Sequence, residues 1–403
     1  MKTDKGNTLN TITKTMKKLI TIICTLLACP ALYSQVSLDL NVIGRVDANP
    51  RITPAAEKKA SFNWANTSLY THFELGFADK LTLSIINHWA ASDEEHLYPF
   101  ASTPALYTDS WKSDCDTWLD CLTLEWAITD NWSLRLGKDY IAIGGFEYDD
   151  WDWDCDYDLC SPFWHENSAY QWGASVAWTS DSGHSTFRLQ AVSSPYSYKK
   201  IGEKELKDFL ANPTEFEFVA RPWMRGCGSY YFQYTANHQF FDLCSSVGFV
   251  QQNDMFGSDK IYGLINAALG ARFKLIDESL SIGVDFLNYH NPFDLGALES
   301  MQVPALGELL PYMYGVKNMF HNLYTVKYVD PAEKWEVLGK FGLQNYAGEN
   351  CFFGGVSAAY FPLRECTDLR LMATIACNPW INEGLAPLSI TLGLTYNLPI
   401  HIL

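Results

Sequence analysis

From Leu388 to Ile402, in the stretch "PLSITLGLTYNLPIHIL" (387–403), every even position is apolar. Ser389, Thr391, Gly393, Thr395, Asn397, Pro399 and His401 occupy the odd positions. Successive side chains of a strand point to opposite faces, so the stretch predicts a β-strand with one apolar and one small or polar face. Alternating segments of similar kind recur at 37–47, 67–77, 80–90, 118–128, 131–142, 169–179, 184–192 and 227–238. They continue at 242–251, 261–275, 279–289, 322–329, 334–344, 352–361, 367–377 and 387–402, which makes sixteen. Pro399 has no N–H to give a ladder, so regular pairing is expected to weaken after Leu398. Beyond the N-terminal region, no run reaches the roughly 18 consecutive apolar residues of a membrane helix.

Connections between the segments alternate in length. "ADK" (78–80), "TDN" (129–131), "IDE" (276–278) and "DPAE" (330–333) are short and made of turn residues. Between them stand long links at about 48–66, 91–117, 143–168, 193–226 and 290–321. A two-sheet sandwich gives no reason for this rhythm. A transmembrane antiparallel up-and-down β-barrel does, with short periplasmic turns and long extracellular loops. A strand of eleven residues rising about 3.3 Å each and tilted near 45° crosses about 25 Å, the height of a lipid-facing apolar band. Sixteen strands enclose an aqueous bore. The fold class is therefore all-β, a membrane barrel with hydrocarbon outside and water within.

Composition agrees. Aromatic residues make up 15% of the 403 residues, with 14 Trp, 22 Tyr and 23 Phe, a stock suited to the girdles where a barrel meets the two lipid–water interfaces. "MKKLITIICTLLACPALYSQ" from Met16 has the basic start, short apolar core and small residues of a secretory signal. It assigns 1–34 to a leader, with 1–15 as an upstream start extension, and 35–403 to the barrel. The box Leu26-Leu27-Ala28-Cys29 is a rival lipoprotein reading of the same region. Residues 1–34 hold five lysines and one aspartate, so a chain cut after Ser34 carries −21 in place of −17. That charge excludes nucleic acid as a partner. Nine of the eleven cysteines lie beyond the leader, and Cys155 and Cys160 are the pair suited to a disulfide in an exported chain. The other cysteines read as small apolar filler.

The stretch "WSLRLGKDYIAIGGFEYD" (132–149), with "SPFW" and "YQWGASVAW" after it, resembles a porin family that includes the phosphate- and polyphosphate-selective outer-membrane porins. That resemblance implies a passive outer-membrane channel for small hydrophilic solutes or ions, often homotrimeric, with no cofactor. It also implies that the third long loop, 144–168, folds into the bore as a constriction. Phosphate selectivity in that family rests on a dense arginine ladder. Nine arginines are scattered through this sequence, and the chain ends on Leu403 where such barrels commonly end on an aromatic residue, so phosphate preference is not carried over.

The third loop has a pattern of its own. Asp150, Asp152, Asp154, Asp156 and Asp158 alternate with Trp151, Trp153, Cys155, Tyr157 and Leu159. In extended chain the five carboxylates share one face, about 6.7 Å apart. That spacing is inside the Debye length of about 8 Å at physiological salt. Such a row attracts cations, and a cation-preferring or weakly selective channel is the expectation. Two other readings stand beside it: a solvated loop outside the cell, and a loose Ca²⁺ site. Cys155 and Ser161 stand where an EF-hand needs glycine and glutamate, so no metal is assigned.

Parity places Arg45, Arg135, Arg188, Arg272 and Arg370 on the lumen side, since an arginine facing mid-bilayer lipid costs about 2–4 kcal/mol. They either oppose the acidic loop across the bore or pair with lumen acids such as Asp39, Glu74 and Asp285. G-x-S-x-G, H-E-x-x-H, P-loop and paired C-x-x-C motifs are lacking, so no enzyme is expected. The alternative to a channel is a barrel receptor or adhesin that binds a ligand such as a sugar through its long aromatic loops.

Overall fold

A computed structural model describes residues 36–53, 59–63, 68–77, 80–90, 119–149, 159, 170–197, 204, 207, 223, 226–253, 261–276, 279–290, 318–346, 349–362, 369–377 and 388–401. The expected leader and both Cys155 and Cys160 lie outside these residues. Strands β1 (Val36–Thr53), β2 (Lys59–Asn63), β3 (Ser68–Phe77), β4 (Leu81–Ala90), β5 (Leu119–Ala127) and β6 (Trp132–Tyr140) open the sheet. A single helical turn, α1 (Phe146–Asp149), follows β6. Then come β7 (Tyr170–Thr179), β8 (Ser185–Ser193), β9 (Gly228–Asn237), β10 (Phe241–Asn253), β11 (Ile261–Leu275) and β12 (Leu280–His290). The chain continues with β13 (Asn318–Val329), β14 (Trp335–Tyr346), β15 (Glu349–Tyr360), β16 (Leu369–Cys377) and β17 (Leu388–His401).

Each strand pairs antiparallel with its neighbours, and β17 pairs back onto β1 from Asp39↔His401 to Ile52↔Leu388, which closes the sheet into a barrel. The seventeen strands make sixteen staves, because β2 and β3 lie end to end along β1. Here the structure corrects the expected long loop at 48–66, since β1 runs on to Thr53 and pairs with β2. The other strands fall within a few residues of the alternating segments.

Pro399 is also corrected. It pairs with Asn41 in a ladder that runs on to His401. Among the described residues the register with β16 runs to Leu369↔Tyr396, and that with β1 continues to His401.

The alternation of the sequence becomes an inside and an outside. On β15, Phe352, Val356 and Tyr360 are 58%, 52% and 51% exposed, whereas Phe353, Ser357 and Ala359 are at most 3% exposed. Outward rows elsewhere carry Leu69, Leu124, Leu189, Phe232, Leu269, Phe286, Ile375 and Leu392, all well exposed. No second sheet covers them among the described residues; they form the apolar belt of a membrane barrel. Aromatic pairs near the short turns, such as Trp178 with Phe187 and Tyr328 with Trp335, mark one interfacial girdle. The turns close by backbone bonds, Ser180 N–H to Ser185 O and Asp330 N–H to Trp335 O, both 2.9 Å. Among the described residues no helix is long and apolar enough to cross a membrane.

Candidate functional site: a loop seated on the inner wall

The chain leaves β6 at Tyr140 and turns into the barrel. Gln190 on β8 clamps the turn, donating to Tyr140 O and accepting from Ala142 N–H, both at 2.7 Å. Gly144 follows with φ 109°, a left-handed geometry that favours glycine. Its N–H donates to Ser246 Oγ at 2.8 Å, and its carbonyl accepts from the same hydroxyl at 2.7 Å. The path has thus crossed to β10.

The next residues lie against β11, β12 and β14. Asp285 on β12 accepts the Phe146 and Glu147 N–H groups at 3.0 and 3.1 Å, which satisfies two free donors of α1. The Arg272 guanidinium sits 4.4 Å over the Phe146 ring. Glu147 forms an ion pair with Lys340 on β14 at 2.7 Å, with both side chains under 5% exposed. Twelve residues further on, Leu159 packs in an apolar cluster with Leu338, Ala359, Met372 and Ala376 on β14, β15 and β16.

Glycines make room for this path. A Cβ on Gly270 or Gly145 would fall about 2.2 Å or 2.3 Å from Asp285 Oδ1, and one on Gly355 would lie 2.7 Å from Leu159 Cδ2. Gly270 and Gly355 both occupy lumen-facing positions inside strands, where glycine often marks the close approach of another chain segment. That signal was present in the sequence. Gln190, Ser246, Lys340 and Leu159 carried no comparable mark, since each is ordinary until a partner arrives from far along the chain.

The five arginines fall on inward rows, in different settings. Arg135 on β6 bridges Glu125 (2.7 Å) and Asp139 (3.2 Å), and Arg188 on β8 reaches Asp139 at 3.9 Å. Arg370 on β16 meets Glu336 at 3.3 Å and lies over the Phe361 ring. Arg272 stacks on Phe146 as described, and Arg45 is 5% exposed on β1. The structure brings Arg135 and Arg188 together at Asp139, sets Arg45 and Arg370 on either side of Thr395, and places Arg272 elsewhere on β11. Lumen lysines follow the same rule, Lys274 with Asp242 at 2.8 Å and Lys327 with Glu336 at 3.6 Å. Arg135, Arg188, Arg370, Lys274 and Lys327 are thus each paired locally with a carboxylate.

Asp150, Asp152, Asp154, Asp156 and Asp158 lie outside the described residues, between the two seated points Glu147 and Leu159. Cys121, Cys227 and Cys244 are buried and Cys377 is half-buried. Among the described residues no three His, Cys, Asp or Glu side chains converge to hold a metal ion.

No protein-family model matches the chain, and no curated protein matches it. Solved structures do. The outer-membrane channel DcaP of Acinetobacter baumannii is 12% identical over 91% of this chain and 98% of its own, with a TM-score of 0.53. Salmonella typhi OmpF in complex with daunomycin is 10% identical over 90% and 97%, with a TM-score of 0.51. Outer-membrane expressed OmpT of Vibrio cholerae is 12% identical over 90% and 98%, with a TM-score of 0.50. At these identities the likeness is one of fold, and the fold is that of an outer-membrane barrel.

Proposed function

We propose that the protein is an outer-membrane porin, a passive diffusion channel for small hydrophilic solutes or ions with a preference for cations. One observation carries this reading. Glu147 is held by Lys340 and Leu159 packs with Leu338, two positions apart on the same inner face of β14, so both ends of the acidic run are tied inside the bore. A run of eleven residues between those ties has a limited reach. In this reading the five aspartates face the lumen and supply the constriction's field.

Magnitudes support a cation preference. Adjacent carboxylates about 6.7 Å apart repel by about 0.6 kcal/mol in water and about 2.5 kcal/mol at an effective dielectric near 20, and cations relieve that repulsion. Residues 141–169 hold eight acids and neither lysine nor arginine, and residues 91–118 hold six acids and one lysine. On the inner wall Arg135, Arg188, Arg370, Lys274, Lys327 and Lys340 stand beside carboxylates, which offsets their charge. Diffusion through a hydrated bore needs no cofactor, only width and field. The leader at 1–34 supplies export to the outer membrane in this reading.

Planar-bilayer recording under a KCl gradient tests it. The expected result is stepwise conductance with a reversal potential displaced towards potassium. Replacing the five aspartates by asparagine should shrink that displacement. Strong chloride preference in the unaltered protein would remove the selectivity. Ligand binding without conductance would replace the channel by a receptor.

A further inference from the structure

On the outside of the barrel, staves β6 to β10 are indented. In the outward row Leu134–Val176–Leu189–Phe232–Val247, read along the paired registers, every side chain is large or branched. In the next row, Ala174 on β7 faces Ala191 on β8, and Tyr230 and Phe249 rise beside them on β9 and β10. Two methyl groups between an aromatic bank and a leucine bank leave a groove of 510 Å³. At about 30 Å³ per water the space equals some seventeen waters, and its apolar lining offers too few hydrogen-bond partners to hold them.

We propose that this groove seats one acyl chain of a membrane phospholipid as a resident lipid. The groove lies in the apolar belt, where hydrocarbon is the surrounding medium, so the occupant is either a lipid tail or another protein surface. A second copy is the poorer fit. Stable interfaces bury about 800 Å² per partner over 20–30 residues, whereas this indentation is two rows deep and five staves wide. Its form, a trough between rings on one side and branched aliphatics on the other, matches a single flexible chain. Both the groove and the bilayer are apolar, so the hydrophobic effect does not select the site. The gain is in dispersion contacts with fixed walls, the force that also packs helices in membranes.

The test uses the whole barrel in nanodiscs of phosphatidylethanolamine and phosphatidylglycerol, released into the gas phase for native mass spectrometry. The unaltered protein should retain one phospholipid per chain after the annular lipids have left. Filling the trough with the double substitution Ala174→Leu and Ala191→Phe should lower the retained fraction on the order of tenfold, the equivalent of losing about ten carbon–carbon contacts. Ala373→Leu, an outward position on distant β16, should leave retention unchanged. Heat-modifiable gel migration reports that each variant has folded. Equal retention in the filled and unaltered proteins would overturn the proposal, as would a loss in the β16 variant of the same size. A change in subunit number with unchanged lipid retention would also overturn it and assign the groove to a second copy.

Discussion

Two walls of the bore face each other and use the same residue types to different ends. In a cylinder of sixteen staves, β6 and β14 are eight apart, hence opposite. On the β14 side the Lys340–Glu147 pair is almost fully enclosed, beside inward glycines and the cluster around Leu159. On the β6 side Arg135 and Glu125 are 29% and 36% exposed, within reach of water and mobile ions. A dry ion pair is costly to break and so holds position. A wet one adds little stability and leaves its charge open to the solvent of the bore. The first wall seats a loop; the second, on the proposed channel reading, shapes a field.

The largest expected effect separates those roles. Lys340→Met leaves the Glu147 carboxylate buried without its cation, a change worth about 3–5 kcal/mol for an enclosed pair. The loop root should lift from the wall, and single-channel conductance should rise while heat-modifiable migration stays normal. Pairing the change with Glu147→Gln should recover part of the original conductance. Leu159→Ala weakens the second tie by about 2 kcal/mol, the low end for a buried leucine, because water can fill the vacated space. Its expected signature is added open-channel noise at little changed mean conductance. Gly270→Ala forces the Asp285 carboxylate away from the Phe146 and Glu147 N–H groups, a penalty of about 1–3 kcal/mol. A lower temperature of barrel unfolding on gels, with partly raised conductance, would show it. Arg135→Gln should have the smallest effect on stability, about 1 kcal/mol or less. It should move the reversal potential further towards potassium, since Glu125 and Asp139 keep their charges. If Arg135→Gln changed conductance as much as Lys340→Met, the contrast between the walls would collapse.

The membrane barrel was legible because its solvent arrangement is written locally. Strand β5 was expected at 118–128 and spans Leu119–Ala127, since alternation over about ten residues marks which side chains meet lipid. The extension of β1 to Thr53 and the short β2 escaped, because "DANPRIT" and "KASFN" alternate weakly, and the partners that extend them, β17 and each other, are not marked in either stretch. The aspartate row stood out as a pattern, and Asp285 could be assigned to the lumen by parity. Its partnership with the loop could not, because Phe146 and Asp285 are 139 residues apart and Gly144 and Ser246 are 102 apart. Nothing in the neighbourhood of Asp285 specifies which amides it accepts. Only the glycines along the seating wall hinted at a visitor.

The ring is shut by its first and last staves, where His401 and Asp39 meet across a separation of 362 residues. Every other stave binds a neighbour that precedes it closely in the chain, so the sheet can grow by hairpins while remaining a curved ribbon with two raw margins. The β1–β17 seam has no such local route, and its loop-closure entropy falls due only when β17 is in place. A chain halted before Leu388 would therefore expose unpaired amides on both margins within hydrocarbon, a state that cannot persist there. Sealing is thus an all-or-none event deferred to the end of assembly, and any factor that controls insertion has most leverage at that seam.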